Sequence, residues 1–360
     1  MAQKNDTTTL ILALLITGGL IGGGIWWFTR NMNLPTVLNS NPSPSSSIPP
    51  KPTPIPPTSV PQISTKDFKT FAEVPNVPNG LFTYGGSTTF APIRKVINPE
   101  IQNIFPQFQL RYFQNPSQSP GSGSGIKMLI DNQITFAESS RPLQESEYQQ
   151  ARQRGLNLIE VPIALDGIVV AVNPNLNIQG LTINELKQIY TGKITNWSQL
   201  GGENIPIVAY SRTQEAGGTT KFFITNVLGG ESFAETVKFI PTTTEALRAI
   251  ANNPGGIYYA SAPEVVEQCT IKPIAIGLTS DALIQPYKNP LIPPENCPQQ
   301  RNQIDHIVFK NGAYPLTRRL FIIVKQNNQT EQQAGEAYTQ LLLTSQGQDL
   351  IEKLGFIRIR

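Results

Sequence analysis

From residue 79 to the C-terminus short apolar runs alternate with amphipathic stretches, and this rhythm restricts the fold more than any other feature. LFTY, FQLRYF, ITFAE, LIEVPI, GIVVAV and IPIVAY read as strands. Helical spacing predicts helices from about Thr89 to Ile104, near 126–132, over 143–154, and in INELKQIY and TTKFFITNVL. Such β-α-β alternation favours largely parallel sheets with helices on both faces. In open α/β sheets ligands bind at the carboxyl ends of strands, against helix N-termini. The strand-to-helix junctions are therefore where a site is expected.

Three junctions stand out. Tyr84-Gly85-Gly86-Ser87-Thr88-Thr89-Phe90, Gly121-Ser122-Gly123-Ser124-Gly125 and Gly217-Gly218-Thr219-Thr220 each place glycines and small hydroxyls before a helix. Glycine lets backbone approach a ligand, and a helix N-terminus offers free N–H donors and a favourable dipole to an anion. None of the three has the spacing of a P-loop or of a dinucleotide-binding loop. A buried tetrahedral oxyanion needs many such donors, and arginine adds a bidentate charge-assisted pair. Arg141, after ITFAESS, and Arg212, after IPIVAYS, stand at suitable places.

Composition removes other classes. The chain has one histidine, His306, in IDHIVF, which reads as a strand, and two cysteines, Cys269 and Cys297. That supply fits neither a familiar zinc site nor a convincing Ser-His-Asp hydrolase. A formal net charge of +3, with no basic run, argues against a nucleic-acid surface. The cysteines suit one disulfide in an oxidising compartment, with two buried thiols as the alternative.

The N-terminal region has a different texture. No residue from Thr7 to Thr29 is charged, and Leu10–Phe28 is nearly all apolar, long enough to cross a bilayer as a helix, with Trp26 and Trp27 at one end. We read residues 1–30 as an uncleaved signal anchor, with a cleaved signal peptide as the alternative. Residues 31–78 form a Pro/Ser-rich linker, and ten of the 31 prolines fall within 35–62. Such a segment favours extended polyproline II and serves as a spacer of at most roughly 85 Å.

The markers GGSTTFAPI, GSGSGIK, ITFAESSRPL, LDGIVVAVNP, INELKQIYTGKITNW, EAGGTTKFF, GGIYYA and YPLTRRLFIIV resemble the phosphate-binding proteins of phosphate ABC importers. These are the PstS family within the type II periplasmic-binding superfamily. The resemblance implies a two-lobed α/β fold over residues 79–360 with the ligand cleft between the lobes. Lobe I would be about 79–165 and 305–360, and lobe II about 166–265, with 266–304 assigned to neither. It implies phosphate contacts from Thr89, Phe90, Ser122, Ser140, Arg141, Arg212, Gly217, Gly218 and Thr219. It also implies no catalysis, no cofactor and no metal, a phosphate ABC permease as partner, and an extracytoplasmic location on the membrane. A membrane-anchored sensor or an interaction module with weakened anion binding is the alternative.

Two positions depart from the family. Ser140 stands where many members carry the aspartate that accepts a proton from phosphate and so rejects sulfate; other members carry Ser-Arg here, as this chain does, and the nearby Glu138 or Asp166 is a candidate acceptor in its place. Gly217 stands where a serine hydroxyl is usual, so Gly217→Ser is expected to tighten binding.

Overall fold

The computed structural model describes residues 67–213 and 217–360. The expected membrane anchor and the proline-dense segment lie outside the described residues. No described helix is long and apolar enough to cross a membrane.

The main sheet is built from β1 (Gly80–Gly86), β2 (Phe108–Tyr112), β3 (Phe136–Ser139), β4 (Asn157–Val172), β6 (Val208–Ser211), β7 (Lys238–Phe239), β8 (Gly256–Ser261) and β12 (Thr317–Gln326). Their spatial order is β2-β1-β3-β12-β4-β8-β6-β7, and β9 (Lys272–Pro273) joins the side of β4. A smaller sheet holds β5 (Gly180–Thr182), β10 (Ala275–Gly277) and β11 (Leu283–Ile284). The outer pairs β1–β2, β1–β3, β6–β7 and β6–β8 are parallel. The centre is not: β12 runs antiparallel to both β3 and β4, and β4 antiparallel to β8. The expected largely parallel sheet is thus a mixed one, because a strand from the C-terminal region is inserted in its middle.

LIEVPI and GIVVAV, expected as two strands, form the single 16-residue β4. β12 pairs with its first part, from Asn157 to Gly167, and β8 takes over from Ile168 to Val172. The ladder slips once: Phe321 faces Pro162 and Leu320 faces Ala164, so Ile163 is left unpaired as a bulge. Proline has no N–H for the ladder and is tolerated at such a place. The Ile163 carbonyl accepts instead from the buried Gln348 Nε2 at 2.9 Å.

Two principal hydrophobic cores flank the long strand. The first gathers Tyr84, Ile93, Ile97, Phe136, Leu320 and Tyr338. The second gathers Val169, Tyr190, Trp197, Phe223, Tyr259 and Ile276. Phe71 is fully buried in the first, and the Ser345 N–H donates to the Phe68 carbonyl at 3.0 Å. The folded region therefore reaches back before residue 79. Residues 266–304 supply Ile271, Ile274, Ile276 and Tyr287 to the second core, and Cys269 is joined there to Cys297 by a disulfide.

The helices that bear on the site are α1 (Ala91–Ile104), α2 (Ser122–Ile130), α3 (Glu145–Gln153), α4 (Ile183–Tyr190), α5 (Gly218–Asn226), α6 (Thr243–Ala251) and the short α7 (Ala262–Val265). Residues around His306, expected as a strand, form the helix α8 (His306–Lys310). Its start is set by Asp305, whose carboxylate accepts the Ile307 N–H at 3.0 Å, a capping signal that overrides a short apolar run.

Candidate functional site

The site starts from close backbone packing. A Cβ on Gly85 would lie 2.5 Å from the Phe113 carbonyl oxygen, and one on Gly86 2.2 Å from that of Glu138. One on Gly125 would lie 2.4 Å from the Gly86 Cα. These glycines let α2 press against the end of β1, so part of the glycine signal serves packing and not ligand access. Packing brings three buried serines together. Ser140 Oγ lies 3.1 Å from Ser87 Oγ and 3.2 Å from Ser122 Oγ, and the Ser140 N–H donates to Ser122 Oγ at 3.1 Å.

The N-terminus of α5 closes on this cluster. A Cβ on Gly218 would sit 2.1 Å from Ser140 Oγ and 2.7 Å from Ser122 Oγ, so only glycine permits the approach. The helix is anchored from behind, where Phe223 stacks on Tyr259 at 3.7 Å between ring centroids. Its first turn then presents Thr219 toward Thr89, which follows β1.

Between those two threonines lies Arg318. Its Nη2 lies 3.0 Å from Thr89 Oγ1 and 2.9 Å from Thr219 Oγ1. Nε and Nη2 also donate to Asp166 Oδ2 at 2.9 and 2.7 Å. Nη2 has two protons and three acceptors, whereas Nη1 is buried with no partner among the described residues. Each threonine hydroxyl accepts from the arginine, which leaves its own O–H free to donate elsewhere. Two O–H donors from opposite sides of the cleft are thereby set beside a buried cation. The arginine is 4% exposed.

Beside this arrangement is a cavity of about 700 Å³, lined in part by Thr89, Thr219, Thr220, Arg212, Tyr258 and Glu264. The Arg212 Nε is buried and has no hydrogen-bond partner among the described residues. Burial pushes the Glu264 carboxyl up, and nearby Asp166 adds to the shift. No cluster of three or more potential metal ligands exists among the described residues.

Residues 61–346 match the PBP superfamily domain. The chain belongs to the PBP superfamily. It is similar to the phosphate-binding protein PstS of Borreliella burgdorferi, 26% identical over 286 residues that cover 78% of this chain and 90% of that one. It is also similar to PstS of Bacillus subtilis, 28% identical over 181 residues, or 50% of this chain and 57% of that protein. Among solved structures, a phosphate ABC transporter substrate-binding protein from Clostridium perfringens with bound phosphate superposes with a TM-score of 0.62 at 26% identity, covering 78% of this chain and all of that one (100%).

The two-lobed PBP fold brings some of the expected residues together and not others. Thr89, Thr219 and Arg212 line the cavity. Ser122, Ser140 and Gly218 are packed against one another. The Phe90 side chain is buried in the first core, which leaves only its backbone as a candidate contact. Arg141 turns away: its Nη1 and Nη2 hold the two Glu147 carboxylate oxygens at 2.8 and 2.6 Å, and Nη1 also donates to the Pro142 carbonyl. It lines a separate cavity with Lys221 and Phe222.

Gly217 has φ of 131° and ψ of −172°, a region that is essentially glycine's alone. Space is not the obstacle to a side chain, since the nearest atom to its Cβ would be 3.6 Å away. The backbone is the obstacle, and it reverses the expected benefit of Gly217→Ser.

The carboxylates expected to replace the family aspartate are engaged to different degrees: both Asp166 oxygens are bonded, whereas Glu138 Oε1 is buried with no partner among the described residues. Glu138 pairs with Arg94 behind the serine cluster, and Asp166 accepts from Arg318 and from the Ser261 hydroxyl. Sequence reasoning missed Arg318, Ser87 and Glu264 as residues of the site. A signal for Arg318 existed: in TRRLFIIV one of two adjacent arginines must face the same side as buried apolar residues.

Proposed function

We propose that this chain is an extracytoplasmic solute-binding protein that captures inorganic phosphate in its cleft and delivers it to an ABC importer. The observation that carries this reading is the convergence of Thr89 and Thr219 on Arg318, with both hydroxyls left free to donate. Arg212 adds a second cation with a donor that has no partner among the described residues. Arg318 is offset by Asp166, and Arg212 shares the cavity with Glu264, whose carboxyl burial pushes toward the neutral form, so positive charge is left for a phosphate anion. The N–H groups that open α5 complete the donor set, together with the Phe90 N–H and the Ser122 and Ser140 hydroxyls packed against Gly218. The phosphate-binding proteins of Borreliella burgdorferi and Bacillus subtilis, and the substrate-binding protein from Clostridium perfringens with bound phosphate, support the choice of ligand. Residues 1–30 would hold the protein on the membrane, and the proline-dense linker would set the reach of the binding domain.

Calorimetric titration of phosphate and then sulfate into the full chain tests the proposal. One-to-one phosphate binding is expected, falling ten- to a hundredfold in Arg212→Met, the loss of a hydrogen bond to a charged group being about 1.5–3 kcal/mol. Failure of the unaltered chain to bind phosphate would reject the reading.

A further inference from the structure

The cleft is open to solvent on one side and has more room than an ion of five heavy atoms fills. At about 700 Å³ it falls in the range of roughly 300–1,000 Å³ that holds drug-sized ligands. Thr89, Thr219 and Arg212, the residues assigned above to the phosphoryl group, account for only one part of its wall. The rest is contributed by the N-terminal turn of α6, with Thr242, Thr243 and Thr244, and by Tyr258 on β8 and Glu264 on α7. This remaining wall is rich in hydroxyl groups. The Thr243 Oγ1 and Tyr258 hydroxyl are 3.5 Å apart, and the half-exposed Phe239 stands at 50% exposure as an apolar face on the same cavity.

Charge narrows what the remainder can hold. Arg212 is the one cation and Glu264 the one carboxylic acid among the described lining residues. With Arg212 already committed to the phosphoryl group, a second anionic group in the cavity would meet Glu264 and no cation. A neutral substituent with hydroxyls can instead donate to Glu264 and exchange hydrogen bonds with the threonines and Tyr258.

We infer that the cleft takes phosphate monoesters of small neutral polyols as well as free phosphate, with the polyol held between the start of α6, Tyr258 and Glu264. The inference rests on the phosphate reading and extends it to a substrate class. An uncharged hydroxylated tail satisfies the wall, and a tail ending in a carboxylate does not.

The test compares three probes on the full chain by calorimetry: inorganic phosphate, glycerol 3-phosphate and 3-phosphoglycerate. The last two present a phosphoryl group on a three-carbon skeleton and differ by a terminal carboxylate. Glycerol 3-phosphate is expected to bind within tenfold of phosphate and to compete with it, with 3-phosphoglycerate at least tenfold weaker than glycerol 3-phosphate. Thr244→Trp, at an exposed position on the polyol side, is expected to weaken glycerol 3-phosphate at least tenfold and to leave phosphate within twofold. Phosphate binding without glycerol 3-phosphate binding at millimolar concentration would overturn the inference and leave the phosphate reading intact. Equal loss of both ligands in a folded Thr244→Trp protein would overturn the assignment of that wall to the polyol. Binding of no probe would overturn both readings together.

Discussion

Asp166 and Arg318 face each other across the β4–β12 ladder, and the carboxylate holds the guanidinium that reaches Thr89 and Thr219. The pair is buried, so each charge depends on the other to offset its lost hydration.

Removing one partner is therefore expected to cost more than removing both. Arg318→Met should lower unfolding free energy by about 3–5 kcal/mol, because Asp166 is left as an unpaired buried charge. Adding Asp166→Asn should recover most of that loss, which urea denaturation of the two single variants and the double variant would show as strong non-additivity. Phosphate affinity should stay at least tenfold reduced in the double variant, since the threonine hydroxyls lose their donor. Recovery of affinity along with stability would mean that Arg318 is a structural residue only.

The two glycines at the start of α5 make opposite demands. Gly217→Ser should destabilise the protein by about 1–3 kcal/mol through its backbone and should not tighten phosphate binding. Gly218→Ala should lower phosphate affinity at least tenfold by forcing the helix away from Ser140 and Ser122. Ser140→Gly placed in the Gly218→Ala background removes the closest contact and should restore part of the affinity, as read by calorimetry.

Glu138 gives the fold a pH dependence. Burial raises its carboxyl from an ordinary 4.5 to about 7, against the opposing pull of Arg94. In that interval the folded state holds a proton that the unfolded chain has released. This contribution to stability is thus fully present below about 4.5 and is lost as pH rises through about 7. Unfolding free energies at pH 5 and pH 8 are expected to show the fall, and Glu138→Gln to flatten it. A rise between those two values in the unaltered protein would mean that the ion pair with Arg94 outweighs burial.

The disulfide closes a loop between positions 28 apart in sequence. Cys269→Ser with Cys297→Ser should cost about 3–4 kcal/mol in the chain-entropy treatment. Segment 266–304 feeds several apolar side chains into the second core, so thermal unfolding should remain a single transition at a lower midpoint.

What could be read from the sequence was local. Gly86, Ser87 and Thr89 mark a strand that ends and a helix that begins, and the structure has both there. The same holds for Ser122 and for Gly218-Thr219. What could not be read was set at a distance. Asp166 and Arg318 are separated by 152 residues, and nothing near either predicts that β12 enters the sheet beside β4. Arg141 illustrates the reverse case. Its neighbourhood suggested an anion ligand, but Glu147, in the first turn of α3, already holds its guanidinium. The position of Glu147 was legible and its claim on Arg141 was not. The glycine loops were ambiguous in another way, since close packing and ligand access ask for the same residue.

β4 passes both hydrophobic cores, paired with β12 as far as Gly167 and with β8 from Ile168. A cleft that opens across them must flex a two-ply ribbon and cannot swing on a slack connector. The ribbon is weakest where Pro162 offers no ladder donor and Ile163 steps out of register, and there Gln348 clamps it from the side. Such a joint behaves like a leaf spring with a thinned section. A change in the gape of the cleft therefore has to be taken up in the strand pairing itself.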